Sequence, residues 1–327
     1  MEPEQLLERA LESVAQGTVS GNRRYTGREL AELTGVDLEL ARRLRRAMGL
    51  PDVPEDEPAF FEDDLKALER AKILMDEDGL TQPELLHLTR TLGLAASRMA
   101  DAVVGFWTDR VLTGLAGGED ADGLLPSPKR VDDLEVVVGY LLRRHLLDSI
   151  SRRVGDASDS DAGNVVSVGF ADLVGFTSLA EQLSDTETAE LIERFERLAT
   201  DIVVGGGGRV VKMIGDEVMF TAEPSMVAEI ALRLAETFDS PDVPSVRVGV
   251  AVGNVVSQSG DLYGPVVNLA SRATMAARPG SVLISPSLAE VVAGDDRYSV
   301  SPIRAHKLKG IGTVQLSVLR RRGDNRR

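Results

Sequence analysis

Two aspartates, Asp172 and Asp216, stand at or just past the ends of short β-branched runs, residues 165–177 (VVSVGFADLVGFT) and 209–220 (RVVKMIGDEVMF). Apolar strands of this kind can bring two sequence-distant carboxylates side by side at one sheet edge. An oxygen-rich pair suits hard divalent cations such as Mg²⁺ or Mn²⁺. Lys212 lies four residues before Asp216 in the same run, so a strand period of two puts both side chains on one face. Asp261 sits in a glycine-flanked loop, SGDLYG, just before a helical pattern. Asn268 and Arg272 are four apart on that helix, hence on one face and one turn apart. Singly these are a surface lysine, a turn aspartate and a helix-face pair. Together they make a set of metal ligands, a base-reading pair and a charge-stabilising pair.

The elements that must position them alternate between strand and helix from residue 165 onward. A strand over 165–172 is followed by a capping box, Ser184-x-x-Glu187, that opens a helix to about residue 203. Glycines 205–208 turn the chain into a strand over 209–214, and Gly215-Asp216 forms a hairpin tip before the return strand 218–221. A helix over 225–238, a strand over 246–252 and a helix over 264–277 follow. A strand over 281–284, a helix over 286–292 and a closing strand near 314–319 complete the pattern. Strand–helix–strand–strand–helix–strand is the split βαβ order of an α+β, ferredoxin-like fold.

The first half reads as all-helical. An amphipathic helix is expected over 1–17, and Thr26-x-x-Glu29 opens a helix that Gly35 ends. Asp37 starts a second helix carrying Arg42, Arg43, Arg45 and Arg46. Further helices are expected over 61–75, 83–92, 94–115 and 131–154. The helix over 94–115 carries apolar residues on more than one stripe, so it is expected to be buried in the domain, to form a dimer contact or to hold a lipid-like ligand. Residues 155–163 (GDASDSDAG) read as a flexible linker. The expected division is therefore a helical domain over 1–154 and a strand-bearing domain over 164–327.

Bulk composition fits this picture. The 327 residues are 43% hydrophobic and 27% charged, with no cysteine, which excludes disulfides and thiolate metal sites. No apolar run reaches the roughly 18 residues of a membrane span, and the first 17 residues are too acidic for a signal peptide, so a cytoplasmic protein is expected. Net charge is −15, and residues 1–153 carry 20 Lys+Arg against 29 Asp+Glu, or −9. That balance is a poor footprint for nucleic acid despite the helix–turn–helix look of the four arginines.

On these motifs the sequence resembles the class III nucleotidyl cyclases. FADLVGFTSL is similar to the family's first metal motif and KMIGDEVMF to its second. DLYGPVVNLASR carries the family's Asp-x-x-Gly-x-x-Val-Asn-x-Ala-x-Arg signature at every fixed position. The resemblance implies that Asp172 and Asp216 bind two divalent metal ions, that Lys212 and Asp261 read the purine, and that Asn268 and Arg272 stabilise the transition state. It also implies a triphosphate-binding role for Lys309, in KLKGIG. The family's site lies between two catalytic domains; one chain holding every group implies a homodimer with two equivalent sites. The first half resembles the helical regulatory domain of actinobacterial soluble adenylyl cyclases. That group includes autoinhibited, pH-responsive members and has been associated with fatty-acid binding.

Physical arguments extend these expectations. Adenine offers an acceptor at N1 and a donor at N6, which a lysine and an aspartate complement; guanine reverses both, so Lys212 and Asp261 favour ATP. The backbone amides of Leu173, Val174, Gly175, Phe176 and Thr177, running from strand into helix, are expected to cradle phosphates. His145, within the helix over 131–154, titrates in the right window for a proton switch, against the plain reading of a solvated helix histidine. The alternatives are a guanylyl or diguanylate cyclase, and a DNA-binding regulator whose cyclase half only senses nucleotide. A diguanylate cyclase gives no reason for the Asp261, Asn268 and Arg272 set.

Overall fold

The computed structural model describes residues 23–117, 128–158, 165–238 and 244–323. The helix expected over 1–17 lies outside them, as do residues 159–163 of the expected linker. The chain divides into two compact units, Met1–Ser151 and Arg152–Arg327.

In the N-terminal unit the capping signals act where the sequence puts them. Thr26 caps α1 (Gly27–Thr34) with a reciprocal box to Glu29, and Gly35 ends it in the left-handed region at φ 66°. Asp37 caps α2 (Leu38–Ala47), followed by α3 (Glu62–Asp76). The apolar side of α2 meets Leu85 and Leu86 of the helix that follows α3 in a small core of Val36, Leu40, Leu44, Ala47, Leu85 and Leu86, against which Leu68, Ala71 and Leu74 of α3 pack. Three of the four arginines of α2 turn to the segment that follows it. Arg42 pairs with Glu55, and Arg46 with Asp52. Arg45 lies over the Phe60 ring and donates to the Pro51 carbonyl. That face is spent internally.

The two helices expected over 83–92 and 94–115 are one, α4 (Gln82–Ala116), 35 residues long. Gly93 does not break it. A Cβ there would lie 2.7 Å from the Met48 backbone, so glycine is what lets the end of α2 sit against α4. Much of the far half is open: Leu94, Met99, Val104, Phe106 and Leu112 are exposed while Val111 is buried. Burial within the domain is thus not what this chain alone provides. The next helix, α5 (Pro128–Ser158), runs four residues into the segment expected as linker. Each residue added to an existing helix gains a hydrogen bond, which offsets the roughly 1 kcal/mol penalty of Gly155.

The C-terminal unit is a seven-stranded sheet with β1 (Val165–Leu173) near its centre. Alongside lie β2 (Arg209–Ile214), β3 (Glu217–Ala222) and β4 (Val246–Asn254), in the order β2-β3-β1-β4 and antiparallel throughout. That is the split βαβ order. β7 (Val282–Ile284) joins β4 in parallel, and β11 (Ser317–Arg321) and β8 (Tyr298–Pro302) extend the sheet. One face is covered by α7 (Asp185–Gly205) and α8 (Val227–Thr237), which bury Phe195, Val203, Ile230 and Leu234 against Phe220 and Val248. The other face carries α9 (Pro265–Ala276), packed through Val266 and Ala270 on Val168, Phe170 and Ala251. A short helix, α6 (Phe176–Ala180), follows β1, and α10 (Pro286–Val291) follows β7.

Two hairpins and one strand escape the sequence pattern. β5 (Val256–Gln258) pairs with β6 (Asp261–Tyr263), and β9 (His306–Leu308) with β10 (Gly312–Val314). These three-residue strands, and β8 with its exposed positions, are too short or too polar for a period of two to stand out.

Candidate active site

The end of β1 is the organising point. Asp172 follows Val168 and Phe170 onto the face covered by α9, and it stands directly opposite Glu217 of β3 and Arg247 of β4 in the two ladders. Arg247 Nε donates to Asp172 Oδ2 at 2.6 Å. Asp216 is brought alongside because its carbonyl accepts from the Leu173 amide at 3.0 Å. Residue types and antiparallel pairing therefore assemble three carboxylates and one guanidinium at a single sheet end.

Their fields act on one another. Burial raises the Asp216 carboxyl above its usual range, its own backbone amide offsets part of this, and the Asp172 charge adds to the rise. Glu217 is pushed up to about 7 by burial first, then by Asp172 and Asp216. Glu217 and Arg247 are absent from the sequence expectations. The signals were present: Glu217 completes Gly-Asp-Glu, and Arg247 is the one charged residue of a strand reading VRVGVAVGN.

Lys212 and Asp216 do not share a strand face. Asp216 lies in the turn beyond β2, where Gly215 takes φ 61°, and the β2–β3 register slips between Val210 and Lys212. Alternation by twos holds only within a strand, and β2 ends at Ile214, two residues before Asp216. Lys212 instead meets Asp261, its Nζ donating to Oδ2 at 2.5 Å. Asp261 opens β6 and accepts from the Leu262 amide at 2.8 Å through Oδ1. Burial acts upward on this carboxyl, but the bonds from Lys212 and Leu262 outweigh it and leave the group below its ordinary range.

The expected phosphate cradle narrows. The Leu173 amide is taken by Asp216 and the Val174 amide by the Ser245 carbonyl at 2.8 Å. Both belong to the sheet end, where backbone groups find backbone partners first. Gly175, at φ 75°, caps α6, so the amides of Gly175, Phe176 and Thr177 open that helix and have no acceptor within it. Asn268 and Arg272 lie on the outward side of α9. Asn268 is exposed, and Arg272 reaches the Met275 sulfur at 3.1 Å. Among the described residues neither is bonded to the aspartates. Lys309 is exposed in the β9–β10 turn and His145 is exposed on α5.

Hard oxygen donors concentrated at one sheet end, with the charged forms of Asp216 and Glu217 disfavoured by burial and by neighbouring carboxylates, fit divalent cations of the Mg²⁺ or Mn²⁺ kind. Among the described residues no group of three or more His, Cys, Asp or Glu is arranged to enclose a metal ion. An ion at Asp172 and Asp216 would thus take its remaining ligands from water or substrate, as Mg²⁺ usually does.

The described residues of the N-terminal unit line a cavity and a cleft. A cavity of about 440 Å³ is lined by Leu30, Leu44, Leu68, Leu85 and Leu92, with Arg42 and Arg45 among its walls. A cleft of about 390 Å³ lies between Val103, Phe106 and Trp107 of α4 and Leu134 and Val137 of α5. No described helix is long and apolar enough to cross a membrane.

Comparison with known proteins places both halves. Residues 159–320 match the family model described as the adenylate and guanylate cyclase catalytic domain, and residues 8–120 match that of the adenylate cyclase regulatory domain. An adenylate cyclase of Glutamicibacter nicotianae is 33% identical, over 93% of this chain and 80% of that protein. One of Streptomyces coelicolor is 33% identical over 94% and 89%. A protein of Mycobacterium tuberculosis described as a pH-sensitive adenylate cyclase is 33% identical over 90% and 78%.

Proposed function

Because the chain belongs to the adenylate cyclases built from a regulatory domain and the adenylate and guanylate cyclase catalytic domain, we propose that it converts ATP to 3′,5′-cyclic AMP and pyrophosphate as a homodimer. The observation that carries the substrate choice is the Lys212–Asp261 pair. Its ammonium donates toward adenine N1 and its carboxylate accepts from the N6 amine; guanine would meet a donor with a donor at N1 and an acceptor with an acceptor at O6.

Asp172 and Asp216 would hold two divalent ions, Mg²⁺ or Mn²⁺, which when bound supply Lewis acidity at the phosphate oxygens and acidify the ribose 3′-hydroxyl. The remaining roles fall to side chains and amides of the chain. Gly175, Phe176 and Thr177 offer amides to the phosphates, and Lys309 offers a charge to the triphosphate. Asn268 and Arg272 donate to oxygens on which charge develops, an effect worth several kcal/mol in a preorganised site. No protein base is assigned.

The outward placement of Asn268 and Arg272 supports pairing of two chains. A second copy related by a two-fold axis can present that helix face to the carboxylates of the first, giving two equivalent sites. The helical unit is read as the regulator. Its 440 Å³ cavity, lined largely by leucines, suits an apolar ligand such as a fatty acid, and exposed His145 on the helix leading to the catalytic unit suits a proton switch. The internal pairing of the α2 arginines favours this reading over a DNA-binding regulator.

Incubation of the full-length protein with ATP and Mn²⁺ tests the assignment. Cyclic AMP formation, with GTP a much poorer substrate, is expected. Intact nucleotide binding without cyclic AMP would overturn the enzyme reading.

A further inference from the structure

We infer that Arg247 is a resident counter-cation of the carboxylate cluster: it holds Asp172 until a divalent ion displaces it, and so keeps the nucleotide-free protein a weak metal binder. The inference rests on the proposed metal role of Asp172 and Asp216.

Asp172 and Arg247 are directly opposed on antiparallel neighbours, so their side chains share a face by construction. The contact is a charge-assisted bond of 2.6 Å from Nε to Oδ2. Asp172 is the more enclosed partner, with 15% of its side chain exposed against 35% for Arg247. The guanidinium cannot lose its charge at any ordinary pH, so its claim on the carboxylate is permanent. Its field also reaches Asp216 and Glu217. Lys212, the other cation whose charge reaches Glu217, is engaged by Asp261.

A guanidinium and a divalent ion are like charges drawn to the same carboxylate, so each weakens the other's hold on it. A divalent ion therefore competes with Arg247 for Asp172. Removing the guanidinium leaves three carboxylates at the sheet end without their nearest positive charge, and their affinity for an external cation rises. A merely structural role predicts the opposite. Loss of a residue that only orients Asp172 would loosen metal binding.

The test is Mn²⁺ binding to the full-length, nucleotide-free protein, read by electron paramagnetic resonance. Arg247→Met is expected to bind Mn²⁺ at least about tenfold more tightly than the native chain, while Arg247→Lys, which keeps the charge, stays close to native. Unchanged or weaker binding by folded Arg247→Met overturns the inference and leaves the metal reading intact. Absence of Mn²⁺ binding in the native chain and both variants, with ATP present or absent, overturns the metal reading and this inference with it. The native protein supplies a second measurement that needs no Arg247→Met protein. Saturating Mg²⁺ is expected to shift the Arg247 Nε–H resonance, assigned by its loss in Arg247→Lys, as Asp172 changes partner. A resonance that stays fixed at saturation overturns the inference.

Discussion

Lys212 Nζ and Asp261 Oδ2 lie 2.5 Å apart, joining β2 to the β5–β6 hairpin across 49 positions of sequence. The pair is pre-formed before any base arrives. If the pair reads the base, Lys212→Ala and Asp261→Ala should each lower kcat/KM for ATP by about 100-fold, since each would remove a base contact and leave a charge unpaired. The double variant should lose less than the product of the two, since both act on one network. Exchange of the charges, Lys212→Glu with Asp261→Lys, should move the ATP-to-GTP preference toward GTP. A ratio of kcat/KM values that does not move would sink the base-reading assignment.

Asp172 and Asp216 repel each other, and burial adds to the strain on Asp216. Replacing either by Ala should lower turnover at least about a thousandfold if both hold catalytic ions. The metal-free melting temperature of Asp216→Ala should not fall, because a partly buried carboxylate has been removed from the field of another. Residual activity above a few per cent would count against the assignment.

Gly249 of β4 faces α9 so closely that a Cβ would lie 2.2 Å from the Thr274 amide nitrogen and 2.5 Å from the Ala270 carbonyl oxygen. Both are backbone atoms and cannot swing aside. Gly249→Ala should cost about 3 kcal/mol of stability, measured by urea denaturation. A loss smaller than about 1 kcal/mol would mean that α9 can lift from the sheet without penalty.

Arg321 of β11 clasps Glu229 and Glu236 of α8 with four hydrogen bonds of 2.6 to 3.1 Å. The bonds from Arg321 hold the Glu229 carboxyl below its usual range, despite some burial. A depressed folded-state pKa stabilises the fold above the unfolded value, about 4.3 for Glu, and that gain is lost as pH falls through the folded value. Arg321→Met should therefore cost about 1 kcal/mol at pH 7, a modest figure because the groups are a third exposed, and less at pH 3. Equal losses at both pH values would show that packing rather than charge is at work.

His145 is flanked on α5 by Arg144 and, three residues on, by Asp148. If its protonation sets the activity of the catalytic unit, His145→Ala should flatten the acid limb of the pH–activity profile of the full-length protein. An unchanged profile would end the idea.

Much of both units was legible because the signals are local. The capping boxes at Thr26 and Ser184, the glycine at 35 and the apolar runs around Phe170 and Val218 each act within a few residues. The three motifs also carried their own spacing, so Asp172, Asp216, Lys212 and Asp261 could be singled out. What failed was inference across an irregularity. Counting by twos from Lys212 to Asp216 runs past the end of β2 at Ile214 into a turn, and the amides of Leu173 and Val174 are already used by the carbonyls of Asp216 and Ser245.

Sequence alone determined which chemical groups exist and which elements hold them, because helix caps, strand alternation and glycine turns depend on neighbours along the chain. Tertiary structure alone decided which groups face one another. Arg247 lies 75 positions from Asp172 and Glu217 lies 45 from it, yet antiparallel pairing of β1 with β4 and β3 sets all three side by side. Ladder register fixes such contacts, and register is a property of two strands that no single stretch encodes.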